Sequence, residues 1–175
     1  MDVPANDGVL DAEWLSDALA TCHRWPYGRV GSAGARRIGS EHGLSGRVHR
    51  LLAATEFGGT LSFVVKQDTA VAVERALLFH NAHGETLRGC IPWCFGGVTS
   101  AQADRGVLFL EDISPAQQGD ILAGCSDEQA YAVMRVLARI HAASWRPAGA
   151  VGEDLPMWQA PAWDPARWSD RLTRA

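Results

Sequence analysis

Lysine is almost absent from this chain. Of sixteen basic residues in 175, only Lys66 is a lysine and the other fifteen are arginines. Long apolar runs are missing too. Val107–Leu110 is typical, far below the roughly 18 residues a membrane-spanning helix needs. The first eleven residues are acidic and contain no apolar stretch of the kind a secretory signal carries. The four cysteines, Cys22, Cys90, Cys94 and Cys125, form neither a CxxC pair nor a dense framework. That spacing suits reduced thiols in a cytoplasm. There is no basic block, and the pI is near 5.8, which argues against a nucleic-acid partner.

Apolar content is ample at 47%, and the net charge of -4 is small. These values exclude global disorder and allow one core of ordinary size. Residues 10–20 carry Trp14, Leu15, Ala18 and Leu19 at helical spacing, with Asp11 as N-cap. Residues 21–37 are Gly-rich, contain Pro26, and read as a loop running into a first strand. Residues 47–55 read as a strand with Val48 and Leu52 pointing inward. Residues 56–60 supply turn chemistry, and 61–66 form the return strand of a hairpin that ends in Lys66.

Helical spacing returns at 69–83 through Val73, Ala76, Leu77 and His80, with Gly84 and Gly89 marking its exit. Residues 91–98 read as a strand, 101–106 as a turn, and 107–113 as a strand ending in Glu111 and Asp112. Ser126 and Gln129 form a capping box ahead of a helix reaching about residue 145. Its apolar stripe is Ala130, Val133, Met134, Leu137 and Ile140. Residues 146–175 change character, with four prolines and three tryptophans and little periodicity. Hairpin connections imply an antiparallel sheet, so the fold class is α+β.

The chemistry-bearing stretch is 38–50, where Gly39, Gly43 and Gly46 leave backbone N–H groups open to a polyphosphate, with Ser45 among them. Lys66, on the following strand, would supply a compact point charge to those phosphates. No GK[ST] element is present, so this is not a Walker A loop. His80, His83, Cys90 and Cys94 offer zinc-compatible donors, but two lie on a helix and Cys94 in an apolar strand, so buried thiols and surface imidazoles are the simpler reading. Ser45 with His49 lacks a third orienting residue. Glu111 and Asp112, as strand neighbours, point to opposite faces and cannot share a proton.

Over residues 10–145 the chain resembles the aminoglycoside-phosphotransferase and ecdysteroid-kinase-like group of small-molecule kinases. The resemblance lies in the order of VVK at 64–66, ERALLFH at 74–80, IPWCF at 91–95, VLFLEDI at 107–113 and LARIHA at 137–142. It implies a protein-kinase-like N-terminal lobe in 1–110, a hinge and first helix of a second lobe in 111–145, and an incomplete remainder in 146–175. It implies that Lys66 contacts ATP phosphates beneath the segment holding Gly43, Ser45 and Gly46. Leu110, Glu111, Asp112 and Ile113 would form the hinge to adenine.

Two departures stand out. The family's Lys-pairing Glu falls at Ala76, and Glu74 either substitutes for it or the pair is absent. The family's His-Gly-Asp-like loop and its Mg²⁺-binding Asp have no counterpart after Trp145, so a metal site is expected only in a longer relative. The expectation is therefore the nucleotide-binding part of a phosphotransferase to a small-molecule hydroxyl. The alternative is a non-catalytic nucleotide- or protein-interaction module. Uncovered apolar surface near the C-terminus predicts self-association.

Overall fold

The computed structural model describes residues 3, 10–38, 47–116, 119 and 123–145. The chain divides into two compact units, Met1–Trp145 and Arg146–Ala175. The second, with its four prolines and three tryptophans, lies outside the described residues.

Local signals set the first helix. In α1 (Ala12–Ala20), the Asp11 side chain accepts a hydrogen bond from the Trp14 backbone N–H at 2.7 Å. That satisfies one of the donors a helix start leaves unpaired. The Ser16 hydroxyl then fastens α1 to the first strand, β1 (Val30–Ile38). It donates to the Val30 carbonyl at 3.0 Å and accepts from the Val30 N–H at 2.8 Å. A buried hydroxyl used in both senses carries no desolvation debt.

β1 pairs antiparallel with β2 (Arg47–Thr55), and β2 with β3 (Gly59–Asp68) through the turn at 56–58. Helix α2 (Ala70–His83) follows, capped by Thr69, whose hydroxyl accepts from the Ala72 N–H. Then come β4 (Cys94–Ser100) and β5 (Arg105–Glu111). The sheet order is β1-β2-β3-β5-β4, antiparallel throughout, so β5 inserts between β3 and β4. The class is α+β, as the hairpin connections imply.

The sheet has two unlike faces because side chains alternate along a strand. One face carries Leu51, Ala53, Phe63, Val65, Val107 and Phe109, all fully buried with Leu15, Ala18 and Leu19 of α1. Trp25 closes this core, meeting Tyr27, Phe63 and Phe95 edge-on at 5.0–5.3 Å and donating its indole N–H to the Gly28 carbonyl. The other face takes α2. Val73, Ala76 and Leu77 pack there on Cys94, Leu108 and Leu110. α2 comes so close to β5 that a Cβ on Gly106 would lie 2.7 Å from Val73.

Several boundaries and orientations differ from the sequence reading. In β2 the inward residues are Leu51 and Ala53, while Leu52 is 58% exposed and Val48 is half-buried on the α2 face. Apolar type alone cannot fix the parity of a strand, and a one-residue slip exchanges its faces. β4 starts at Cys94, not 91. The preceding segment is held instead by Trp93, whose ring lies between the guanidiniums of Arg24 and Arg88 at 5.1 and 5.0 Å. Gly84 keeps right-handed helical geometry, and the left-handed turn falls at Gly89.

Helix α3 (Asp127–Ser144) begins with the expected capping box: Ser126 bonds the Gln129 N–H and Gln129 bonds back. Its apolar stripe faces outward at Val133, Met134 and Leu137. Among the described residues no helix is long and apolar enough to cross a membrane.

Candidate functional site

Register decides which groups share a surface. Lys66 stands opposite Val48 on one side and Leu108 on the other, and Val64 stands opposite Arg50 and Leu110. These six residues therefore line the α2 face. α2 seats on β4 and β5, so beside the helix the face keeps half-buried Val48 of β2 and Val64 of β3, continuing the apolar surface from Leu110 at the edge of α2. Lys66 and Asp68 lie at one end of this surface, and Arg50, Ser62 and Asp112 at the other.

The Lys66 ammonium pairs with Asp68, Nζ to Oδ2 at 3.2 Å. Two residues apart on one strand, they project to the same side. The Lys66 side chain is 36% exposed, so the pair contributes little to stability, under about 1 kcal/mol. Its effect is to hold a cation in place. The other Asp68 oxygen accepts the Thr69 N–H at 2.9 Å, linking the strand end to the cap of α2.

Glu74 does not join Lys66. It is exposed on α2 and accepts from the Thr99 hydroxyl of β4 at 3.4 Å. The helical period explains this. With Val73, Ala76 and Leu77 turned to the sheet, Glu74 is carried to the flank nearest β4. Ala76, where the resemblance places a glutamate, is spent on apolar packing.

At the far end, Asp112 is the best-anchored carboxylate of the face, its side chain only 4% exposed. It accepts from the Ser62 hydroxyl and from the Ser114 N–H at 3.1 Å, and lies 2.9 Å from Arg50 Nε. The Arg50 N–H is not aimed along that line, so the attraction is Coulombic more than directional. Burial alone would raise the Asp112 pKa. The two hydrogen bonds and the Arg50 charge outweigh it and hold the carboxyl below its ordinary value.

Glu111, its neighbour, serves the scaffold. Its carboxylate accepts the Trp93 N–H at 3.0 Å, and its own N–H donates to the Trp93 carbonyl at 2.8 Å. Leu110 is half-buried and Ile113 is 55% exposed, its carbonyl taken by the Ala116 N–H.

Lys66, Leu110 and Asp112 thus share one face, while Glu74 and Glu111 are engaged elsewhere. Gly43, Ser45 and Gly46 lie outside the described residues. Sequence reasoning missed Asp68, Arg50 and Ser62. Asp68 had a signal in its same-face spacing from Lys66. Arg50 and Ser62 had none, because they meet Asp112 only through strand register. Among the described residues no three His, Cys, Asp or Glu side chains converge as metal ligands. Compared with family models, with curated proteins and with solved structures, the chain matches none.

Proposed function

We propose that this chain is the nucleotide-binding part of an ATP-dependent phosphotransferase whose acceptor is a small-molecule hydroxyl, with a protein-kinase-like N-terminal lobe. The observation that carries the reading is the setting of Lys66. The chain's one lysine sits on the strand just before the packed helix, half-exposed beside an apolar strip and fixed by a neighbouring carboxylate. Kinase-type sites place a lysine on the corresponding strand to meet phosphate oxygens.

The residues present fit a nucleotide in two respects. Lys66 offers positive charge to phosphates. Val48, Val64 and Leu110 offer a partly covered apolar surface to a base. A bound nucleotide would supply the transferable phosphoryl group. The chain's own residues would bind and orient it. The resemblance places the catalytic base and the Mg²⁺-binding carboxylate in a longer relative.

A second reading has its own support. Glu74 is tied to Thr99, and Ala76 occupies the pairing position. A face that keeps the lysine and lacks the helix glutamate suits binding without turnover, as in a nucleotide- or protein-interaction module.

The test is a thermal-shift titration with ATP, with and without Mg²⁺, on the chain and on Lys66→Ala. A hundredfold excess over Kd stabilises a binding fold by about 2.7 kcal/mol. A saturable shift that Lys66→Ala removes supports the proposal. No shift in a well-folded sample refutes nucleotide binding and leaves the protein-interaction module.

A further inference from the structure

The opposite face of the sheet holds a second polar feature near the end of β3. Gln67 lies within the central strand, directly between Arg47 of β2 and Val107 of β5. It is 4% exposed, and both atoms of its amide, Oε1 and Nε2, are buried without a hydrogen-bond partner. Its neighbours along that face, Val65 and Phe63, are ordinary core residues. A leucine or methionine there would extend the same core without orphaned polar atoms, so an unsatisfied amide calls for a partner.

A pocket of about 370 Å³ opens on Gln67. Its walls include Arg37, Arg47 and Arg105, with Asp68, Thr69 and Asp104 completing the lining. Arg37 and Arg105 have no ion pair among the described residues. Asp68 is already held by Lys66 and by the Thr69 N–H, and Asp104 is exposed at the rim. Lys66 offsets the charge of Asp68, so Arg37 and Arg105 outweigh the exposed Asp104 and leave the pocket positive. His49, paired with Arg37 in the sheet, also has a buried ring nitrogen, Nδ1, without a partner. Burial, and then the charges of Arg37 and Arg47, depress its pKa.

We propose that this pocket binds a small phosphomonoester, with the phosphate held by Arg37, Arg47 and Arg105 and the rest of the ligand hydrogen-bonded to the Gln67 amide. Guanidiniums are the side chains best matched to phosphate oxygens, through paired N–H donors. The Gln67 amide needs both an acceptor and a donor, which a phosphate oxygen and a neighbouring hydroxyl together supply. The volume lies at the lower end of small-molecule sites, which suits a compact phosphorylated metabolite. Gln67 and Lys66 project from opposite faces of β3, and the two sites share only Asp68, which pairs with Lys66 at the edge of the pocket.

The experiment is calorimetric titration of the whole chain with glycerol 3-phosphate and, separately, with inorganic phosphate, at ionic strength fixed by chloride. Saturable binding of glycerol 3-phosphate is expected, at least as tight as that of inorganic phosphate. Arg105→Ala and Arg37→Ala should each weaken it about tenfold or more, the loss of a charge-assisted contact. Arg135→Ala, exposed on α3 and outside the lining, should leave it unchanged. Gln67→Met should abolish the preference for the ester. If that variant does not fold, the two arginine variants, which lose no ion pair, decide the matter. Three outcomes overturn the proposal: no saturable binding of the ester, binding of inorganic phosphate alone, or binding that survives both Arg105→Ala and Arg37→Ala.

Discussion

Asp112→Asn tests whether the buried carboxylate organises the end of β5 or merely resides there. The substitution keeps shape and removes charge. The bond from the Ser62 hydroxyl drops from a charge-assisted to a neutral one, a loss of about 1 kcal/mol. The Ser114 N–H bond weakens in the same way by about half as much. Arg50 loses its carboxylate at 2.9 Å, and because its side chain is 28% exposed, water limits that cost to about 0.5 kcal/mol. Relief from desolvating a charge works in the opposite direction. The pKa of Asp112 nevertheless lies below its ordinary value, so the attractive contacts win overall.

The expected net effect at pH 7 is about 1–2 kcal/mol of destabilisation, read from urea melts followed by circular dichroism. The pH dependence has a fixed sign. A carboxyl with a depressed folded pKa contributes its stability fully above the ordinary value, 3.8, and loses it as pH falls through the folded value. The gap between parent and Asp112→Asn should therefore be full at neutral pH and narrow below pH 3.8. A variant as stable as the parent at pH 7 refutes the reasoning. So does a gap that stays constant or widens in acid.

Two further predictions follow from packing. Gly106→Ala would push a methyl group to 2.7 Å from Val73, against a helix seated directly on the sheet, so it should lower stability by about 1–3 kcal/mol in the same urea assay. The thiols should react in two classes. Cys125 is exposed and should titrate with a disulfide reagent at once. Burial pushes Cys22 up to about 11 and raises Cys94 as well, so both should react only when the chain unfolds. Rapid modification of all four at pH 8 would contradict the described core.

Part of this molecule was legible from the residues alone. Asp11, and Ser126 with Gln129, announce helix starts because a cap is local, a side chain meeting a backbone N–H two or three residues on. The hairpin at 56–58 and the spacing of Val73, Ala76 and Leu77 are local in the same sense. Lys66 stood out by composition.

What the sequence alone could not determine is non-local. β5 lies beside β3 with β4 at the edge, and nothing within either strand states that order. Leu51 and Ala53 face the core where Val48 and Leu52 were expected, because both parities of that strand offer apolar residues and only pairing with its neighbours chooses between them. Arg50, Ser62 and Asp112 are strangers in the chain and neighbours in the sheet. Glu74 could have reached toward Lys66 or toward β4, and the angle at which α2 seats on Gly106 sent it to Thr99. Gln67 reads as an ordinary polar strand residue until register places it between Arg47 and Val107, in the interior and without a partner. Local hydrogen bonding and composition set the elements and their caps. The choice of face, the ion pairs and the pocket wait on how strands separated by tens of residues align, which is a property of the assembled sheet.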